Sequence, residues 1–323
     1  MALLTVENLS VDIGPAQILK GVNFSMERGE TLGFVGESGC GKSITAMAIM
    51  GLLTEQARVS GRILFDGQDL LALDDAALCK IRGRRIAMIF QEPMTALNPV
   101  KNIGFQIAEG MRLHLGLGRT EAEGRAVALL DRVGLPAPRF SPDLYPHQLS
   151  GGQRQRVVIA MTMACGPDIL IADEPTTALD VTIQARILDL IAELVEQEGM
   201  ALIMITHDLG VVAQTTENLA VMYAGSMVES GTTAAVFSSL RHPYTRGLFA
   251  AIPHLAVNEA LAPGAMLPTI PGSVPLPTER LPGCAFAGRC ERSREQCTNA
   301  VPALLGDANH HPVACFNPWE AEA

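Results

Sequence analysis

Residues 36–43 read G-E-S-G-C-G-K-S and fit the phosphate-binding pattern G-x-x-x-x-G-K-[ST]. An apolar run at residues 32–35 precedes this segment and a helical pattern at residues 44–53 follows it. Backbone N–H groups of glycines and of a helix start converge on phosphate oxygens only when the loop joins a strand to a helix. The motif therefore predicts an α/β fold with a local anion site.

Within this loop, the Lys42 ammonium is expected to reach the β- and γ-phosphates of a nucleotide, and the Ser43 hydroxyl to ligate Mg²⁺. The alternative is an ordinary glycine-rich loop, which the flanking strand and helix disfavour. We predict nucleotide contacts along the whole segment: Gly36, Glu37, Ser38, Gly39, Cys40, Gly41, Lys42, Ser43 and Ile44.

A second apolar strand, at residues 169–172, is followed by Asp173 and Glu174. Ligands of α/β proteins bind at the carboxyl ends of buried parallel strands, so these carboxylates are candidates for metal and base chemistry. Asp173 would hold Mg²⁺ through water, and Glu174 would orient or deprotonate the attacking water. The alternative is an acidic pair in solvent, which the neighbouring phosphate loop makes less favourable.

Composition narrows the class of protein. The 323 residues are 48% hydrophobic and 18% charged, which is too apolar for disorder. The mean hydropathy of +0.23 indicates that some apolar surface faces a partner. A net charge of −10 argues against broad attraction to nucleic acid or anionic lipid. No apolar run reaches the roughly 18 residues of a membrane span and no secretory leader is evident, so we expect a cytosolic chain.

The pattern of the chain changes near residue 235. Before it, apolar runs alternate with helical patterns, as in a layered α/β domain. Half of the 20 prolines lie beyond residue 252, and such segments cannot continue helices or central strands. We therefore expect a loop-rich extension at residues 237–323, entered through a short helix near residues 244–252. Each motif occurs once, which indicates one nucleotide-binding unit per chain.

Residues 149–153 read L-S-G-G-Q and precede a helical pattern at residues 154–163. This pentapeptide, lying between the two elements above, resembles the signature of the ABC-transporter ATPases. In that family two subunits sandwich two ATP molecules. The resemblance implies that one segment contacts ATP held by the opposing subunit: Ser150, Gly151, Gly152 and Gln153.

Three further residues match the family in order. Gln91 follows the apolar run 86–90, Asp180 ends an A-L-D turn, and His207 follows the run 201–206. The resemblance implies that Gln91 links the site to membrane subunits, that Asp180 lies at the dimer interface, and that His207 contacts the γ-phosphate. It implies catalytic residues Glu174 and His207, and Mg²⁺ held by Ser43, Gln91 and Asp173.

Finer resemblance covers nearly the whole chain. Residues 90–99, 145–150, 173–184 and 242–247 are similar to ATP-binding subunits of dipeptide/oligopeptide importers, most of all to the D-type subunit. The implied fold is a P-loop NTPase (RecA-like) core with an antiparallel β subdomain and a helical signature subdomain. The implied domains are a nucleotide-binding domain at 1–236, with the helical subdomain at about 99–165, and the extension at 237–323.

The same resemblance implies an ATPase that powers uptake of dipeptides or oligopeptides. Its partners would be two transmembrane permease subunits, a second and related ATPase subunit, and an extracytoplasmic substrate-binding protein. The chain would then sit at the cytoplasmic face of the plasma (inner) membrane, without nucleic acid. Two rivals are a soluble ABC ATPase acting on ribosomes or DNA, and a binding-only ATPase with a degenerate site.

The chain departs from the family at the adenine contact. By its spacing before the phosphate loop, the position where many members place an aromatic residue is Ile13. An aliphatic side chain covers a base by apolar contact but without aromatic stacking, which is worth about 1 kcal/mol. Ile44 also replaces a threonine that often follows Ser43, so the α-phosphate contact passes to backbone or to Thr45.

Four cysteines, Cys284, Cys290, Cys297 and Cys315, are separated by five, six and seventeen residues. Structural zinc sites usually contain tight cysteine pairs, whereas cubane clusters take four thiolates at more varied spacing. Related peptide importers carry a similar four-cysteine tail. The spacing favours a [4Fe–4S] cluster, with Zn²⁺ and free or disulfide-bonded thiols as alternatives.

Overall fold

The structure is a computed structural model that describes residues 2–177, 179–251, 268–306 and 311–320. Among these residues, no helix has the length and apolarity needed to span a bilayer. The chain divides into two compact units. The phosphate-loop unit comprises Ala2–Ser25, Leu32–Leu71 and Thr206–Ala323, and the signature unit comprises Met26–Thr31 and Ala72–Ile205. Neither unit is continuous in sequence, and the predicted domain bounds of 1–236 and 237–323 stay a prediction.

The secondary structure alternates strands and helices along the chain. The strands are β1 (Leu4–Ile13), β2 (Ala16–Met26), β3 (Thr31–Val35), β4 (Ala57–Phe65), β5 (Gln68–Asp69), β6 (Ile86–Ile89), β7 (Ile169–Asp173), β8 (Ala201–Ile205), β9 (Asn218–Tyr223) and β10 (Ser226–Thr232). The helices are α1 (Lys42–Met50), α2 (Asp75–Cys79), α3 (Pro93–Ala96), α4 (Ile103–Leu115), α5 (Arg119–Arg132), α6 (Gly151–Met163), α7 (Val181–Glu198), α8 (Leu209–Thr215), α9 (Thr233–Ser239), α10 (Pro243–Ala250) and α11 (Glu295–Asn299).

The phosphate-loop unit contains an antiparallel sheet in the order β2-β1-β4-β5. β1 and β4 pair from Leu4 opposite Phe65 to Ile13 opposite Ala57, with a bulge between Glu7 and Ser10. Buried residues alternate with less buried ones in both halves of β1, Leu4 and Val6 in the first and Leu9 and Val11 in the second, as expected of a strand with one covered face. In the same unit β3 pairs in parallel with β9, and β9 pairs antiparallel with β10.

The signature unit is built around three parallel strands, with β7 between β6 and β8. Every residue of these three strands is buried, which explains their continuous apolar sequence, since parallel strands are covered on both faces. Helix α4 packs against α5 and α6, and α6 also packs against α7. The predicted α/β class with an antiparallel sheet is confirmed.

The C-terminal extension packs into the core of the phosphate-loop unit. The Phe286 ring makes edge-on contacts with Tyr223 and Tyr244, with ring centroids 5.2 and 5.4 Å apart. The guanidinium groups of Arg246 and Arg292 both lie over the Trp319 ring, 4.3 and 4.0 Å from its centroid. The predicted entry helix is α10, and Ile252, its expected end, lies outside the described residues.

A buried carboxylate joins β10 to the extension. Glu229 is 0% exposed. It accepts hydrogen bonds from the backbone N–H groups of Arg241 (2.8 Å) and His242 (3.0 Å) and pairs with His311 Nε2 at 2.8 Å. Losing one partner of such a buried group leaves the others desolvated and unsatisfied, which is costly. Glu229 therefore holds three segments of this unit together.

We expect Glu229→Ala to lower the free energy of unfolding of the phosphate-loop unit by about 3 kcal/mol. The measurement is chemical denaturation followed by fluorescence of Trp319, the only tryptophan of the chain, which lies in this unit. Glu55→Ala removes an exposed carboxylate of the same unit and is expected to change the free energy by no more than about 0.5 kcal/mol. Equal effects of the two variants would show that the Glu229 contacts do not hold the extension.

Candidate functional site

The phosphate loop lies between β3 and α1, as the motif predicts. α1 begins at Lys42, whose side chain is only 6% exposed. Its ammonium donates to the carbonyl oxygens of Gly36 at 2.7 Å and Glu37 at 3.1 Å. The loop therefore folds around the cation, which is compensated by two carbonyls of its own backbone.

The loop backbone needs glycine at position 36. Gly36 has φ 148°, and a Cβ there would collide with the Met222 carbonyl oxygen and lie 2.9 Å from Cys40 Sγ. Nearby, the Gly225 N–H donates to the Cys40 carbonyl at 3.0 Å. Burial raises the pKa of the Cys40 thiol, so this sulfur is protonated at neutral pH. The loop is thus fixed against β9 and the turn that follows it.

The remaining loop residues are placed as follows. Ser38 and Gly39 are exposed at the tip, and Ser43 and Ile44 form the half-buried first turn of α1. Thr45 is 2% exposed, and its hydroxyl donates to the Gly41 carbonyl at 3.0 Å. Thr45 is therefore engaged within the helix, which leaves backbone groups as the better candidates for an α-phosphate contact.

Ile13, the predicted adenine contact, is the last residue of β1 and is half-buried. It pairs with Ala57 of β4 and precedes a turn at Gly14 and Pro15. An aliphatic side chain at this place offers a small apolar face. Its role stays a prediction.

In the signature unit, Asp173 ends β7 and is 2% exposed, and Glu174 follows it. Glu174 has φ 46°, a region that non-glycine residues rarely adopt and that is found more often at functional sites. Its N–H donates to the Ile205 carbonyl at 2.9 Å. Its carboxylate accepts hydrogen bonds from Gln91 Nε2 at 3.4 Å and from Thr177 Oγ1 at 3.0 Å. The structure thus brings two predicted site residues, Gln91 and Glu174, together.

One residue that supports Glu174 escaped the sequence analysis. Gln155 of α6 is 0% exposed, and its Nε2 donates to the Pro175 carbonyl at 2.6 Å. This bond fixes the turn immediately after Glu174. Only its place two residues after the signature segment could have pointed to it.

The signature residues form a capped helix start. Ser150 is the N-cap of α6, and its N–H donates to Gln153 Oε1 at 2.8 Å while Ser150 Oγ accepts from the Gln153 N–H at 3.4 Å. A Cβ on Gly152 would lie 2.7 Å from Ile183, and one on Gly151 would touch Leu179 at 3.6 Å. The N-terminus of α6 is therefore an ordered helix end with an exposed hydroxyl, a geometry suited to anion binding.

Two predicted residues stand at helix starts in different units. Asp180 in the signature unit caps α7 by accepting from the Ile183 N–H at 3.0 Å. His207 in the phosphate-loop unit is exposed and lies between Thr206 and Asp208, which are joined by an Asp208 N–H to Thr206 Oγ1 bond of 3.0 Å. The interface role of Asp180 and the γ-phosphate role of His207 stay predictions.

Comparison with known proteins agrees with this geometry. Residues 19–177 match the ABC transporter family and residues 228–297 match the oligopeptide/dipeptide transporter C-terminal region. A dipeptide transport ATP-binding protein of Bacillus subtilis is 47% identical over 97% of this chain and 94% of its own length. The corresponding protein of Escherichia coli is 46% identical over 99% of this chain and 98% of its own length.

The chain belongs to the ABC-transporter ATPase family. A solved ATP-binding cassette, a dimer in a post-hydrolysis state with ADP and Pi, is 30% identical with a TM-score of 0.63, and covers 71% of this chain and 98% of its own. CbiO1 of Clostridium perfringens is 31% identical with a TM-score of 0.64, over 73% and 90% of the two chains. The predicted P-loop NTPase fold, the importer family and the ATPase class are confirmed.

The four cysteines of this ABC subunit line one small pocket, together with apolar and polar side chains that include Phe286, Phe316 and Arg292. Burial raises the pKa of the thiols of Cys284, Cys290 and Cys315. Among the described residues, no group of three or more His, Cys, Asp or Glu side chains has the arrangement of a metal site. His310 lies outside the described residues, and His311 is bound to Glu229.

A tyrosine was also missed as a neighbour of the phosphate loop. Tyr244 of α10 is 0% exposed, and its hydroxyl accepts from the Glu37 N–H at 2.8 Å. The Tyr244 N–H in turn donates to His242 Nδ1 at 3.0 Å, and burial lowers the pKa of His242 to about 4, so this ring is neutral at physiological pH. Tyr244 lies within residues 242–247, which sequence similarity singled out without suggesting this contact.

We expect Lys42→Ala to weaken Mg-ATP binding by at least about tenfold, because the charge-assisted bonds to phosphate oxygens are lost. Titration calorimetry on the full chain measures the affinity. Lys80→Ala removes an exposed lysine that follows α2 and is expected to leave the affinity unchanged. Equal ATP affinity in the Lys42→Ala variant and the wild type would contradict the assignment of the phosphate loop.

Proposed function

We propose that this chain hydrolyses ATP to power uptake of dipeptides or oligopeptides through partner membrane subunits. The observation that carries the proposal is the near full-length match to two proteins named for dipeptide transport, together with the matched oligopeptide/dipeptide C-terminal region. A ribosome- or DNA-acting ATPase is disfavoured by the same match and by the net charge of −10.

In this proposal the phosphate-loop unit binds the triphosphate. Loop N–H groups and the α1 N-terminus cradle the phosphates, and the Lys42 ammonium exchanges its carbonyl partners for phosphate oxygens. Oxygen ligands suit Mg²⁺, and the residues that would hold it are Ser43, Gln91 and Asp173. When bound, Mg²⁺ neutralises charge that develops on the phosphates.

Glu174 is the proposed general base. Its carboxylate is held by Thr177 and Gln91 and its backbone by Ile205, so its oxygens have a fixed direction. Such a carboxylate orients a water for in-line attack and accepts its proton. His207 would contact the γ-phosphate, and the Gln91 contact with Glu174 offers a route by which membrane subunits sense the site.

A complete site is proposed to need a second ATPase subunit, most simply a paralogue. The α6 N-terminus at Ser150, Gly151, Gly152 and Gln153 would receive the ATP of the opposing subunit, and Asp180 would lie at the dimer interface. ATP would then stabilise the closed pair, and hydrolysis would release it, which shifts two permease subunits between access states. An extracytoplasmic binding protein would deliver the peptide, and the chain would lie at the cytoplasmic face of the inner membrane.

The test of the catalytic step is Glu174→Gln in the assembled transporter. The amide cannot accept the proton, so we expect turnover to fall by at least about a hundredfold while ATP binding is kept. Glu193→Gln changes an exposed carboxylate on α7 of the same unit and is expected to leave both quantities unchanged. Turnover equal to wild type in the Glu174→Gln variant would remove this residue from catalysis.

The same assembled transporter, in vesicles that contain the binding protein, tests the substrate class. We expect ATP-dependent accumulation of a labelled dipeptide or oligopeptide, and none with Glu174→Gln. Accumulation of a labelled sugar or free amino acid in place of the peptides would overturn the proposed substrate while leaving the ATPase intact.

We further propose that Cys284, Cys290, Cys297 and Cys315 hold a [4Fe–4S] cluster, with a single Zn²⁺ as the alternative. What supports this proposal is that all four cysteines line one pocket, and that Cys297 Sγ and Cys315 Sγ accept backbone N–H groups, at 3.5 and 3.4 Å. When bound, a cluster would tie together the segments that carry these four cysteines.

We expect about four iron and four acid-labile sulfide per chain in anaerobically purified protein, because a cubane binds four thiolates. Cys284→Ser is expected to lose both, and Cys79→Ser, at an exposed cysteine of α2, to keep both. Metal and sulfide analysis with an absorption spectrum makes the measurement. One zinc without sulfide would replace the cluster by a structural zinc site.

A further inference from the structure

An ion pair joins the C-terminal extension to the phosphate loop. Arg289 Nη1 lies 2.8 Å from Glu37 Oε2 and Arg289 Nη2 lies 3.0 Å from Glu37 Oε1, a two-bond pairing across 252 residues of sequence. The Arg289 side chain is only 7% exposed and that of Glu37 is 29% exposed. An ion pair in this setting is screened little by salt, unlike the exposed pairs elsewhere on the chain.

Other contacts fix the direction of Arg289. Its Nε donates to the Pro271 carbonyl at 2.8 Å, and its Nη1 also donates to the Tyr223 hydroxyl at 3.3 Å. The residue ends a short helical turn, 287–289, that directly precedes Cys290. These contacts fix the orientation of the guanidinium toward Glu37. The pairing is therefore a built part of the structure and differs from a chance contact between mobile surface side chains.

Glu37 is the residue of the loop through which this contact acts. Its carbonyl accepts from the Lys42 ammonium at 3.1 Å, and its N–H donates to Tyr244. Arg289 is therefore one residue removed from the lysine that is predicted to reach the phosphates. The carboxylate of Glu37 also places a negative charge within a loop whose ligand is a polyanion, and an unpaired charge there would oppose ATP binding.

We propose that Arg289 is a positioning residue for ATP, which neutralises the Glu37 carboxylate and holds the loop in its phosphate-binding form. Nothing in the family motif assigns this role to an arginine of the C-terminal extension. The inference rests on ATP binding to this loop, and it does not depend on which solute is transported. If Arg289 only held the extension in place, its effect on ATP affinity would not depend on the charge of Glu37.

The experiment is a double-mutant cycle on the full chain, with Mg-ATP affinity measured by titration calorimetry. We expect Arg289→Ala to weaken ATP binding by about tenfold, and the double variant Arg289→Ala/Glu37→Gln to bind ATP several-fold more tightly than Arg289→Ala, because the charge that opposes the phosphates is then gone. Glu37→Gln alone is measured to complete the cycle. In the assembled ATPase, Arg289→Ala is expected to raise KM for ATP with kcat within about twofold of wild type.

Arg292→Ala is the matched control. Arg292 lies three residues away in the same segment, but bonds Asn317 and stacks on Trp319 without touching the loop. We expect its ATP affinity to equal that of wild type. Arg289→Lys, which keeps the charge but not the two-bond geometry, is expected to fall between wild type and Arg289→Ala. Circular dichroism followed through thermal denaturation reports whether each variant is folded, because Arg292→Ala itself changes the surroundings of the Trp319 ring.

Three results would overturn the proposal. The first is an unchanged affinity in Arg289→Ala. The second is a double variant as weak as Arg289→Ala, since the effect would then bypass the Glu37 charge. The third is an equal loss in Arg292→Ala, which would show that disruption of the extension, and not the ion pair, is responsible. Failure of the wild-type chain to bind Mg-ATP would instead refute the proposed function.

Discussion

The buried Lys42 ammonium is the interaction on which the phosphate loop depends. A cation that is 6% exposed needs compensating acceptors, and here they are the carbonyls of Gly36 and Glu37 in its own loop. The loop can turn its carbonyls inward only because Gly36 adopts φ 148° where a side chain would strike Met222. The curvature of the loop is therefore set by its own backbone and by the cation that it encloses.

Local motifs and strand ends predicted the parts of the site that short segments determine. The strand, loop and helix around Lys42 follow from one eight-residue pattern. Gln91 and Glu174 could be expected to meet because they follow β6 and β7, which are adjacent parallel strands. The carboxyl ends of such strands lie at one edge of the sheet, so strand order alone brings these side chains close.

The residues that were missed act across long sequence separations. Tyr244 and Arg289 reach Glu37 from 207 and 252 residues away, and no periodicity or spacing records such a contact. Gln155 is nearer to Glu174, but its role depends on the direction of one buried side chain on α6. A sequence pattern states which residues share a face or an edge. It does not state which side chain of a loop-rich tail packs against which core.

The two hydrogen bonds between Ser150 and Gln153 at the start of α6 differ in length. Gln153 holds the strong half of the capping box, with a 2.8 Å bond to Ser150 N–H, whereas the reciprocal bond to Ser150 Oγ is 3.4 Å long. Replacing the long bond by a phosphate contact would cost little, because Gln153 keeps the helix end ordered. The close approach of Gly152 to Ile183 is a packing requirement of the same helix start and acts whether or not a nucleotide is present.

The extension combines two kinds of contact within one stretch of chain that two of the cysteines enclose. Phe286 fills the core against Tyr223 and Tyr244, Arg289 pairs with Glu37, and Cys284 and Cys290 bracket both residues. A ligand that joins the two cysteines would restrain the short turn from which Arg289 extends. The same few side chains therefore order the extension, which has little regular structure, and balance the charge of the loop that binds a polyanion.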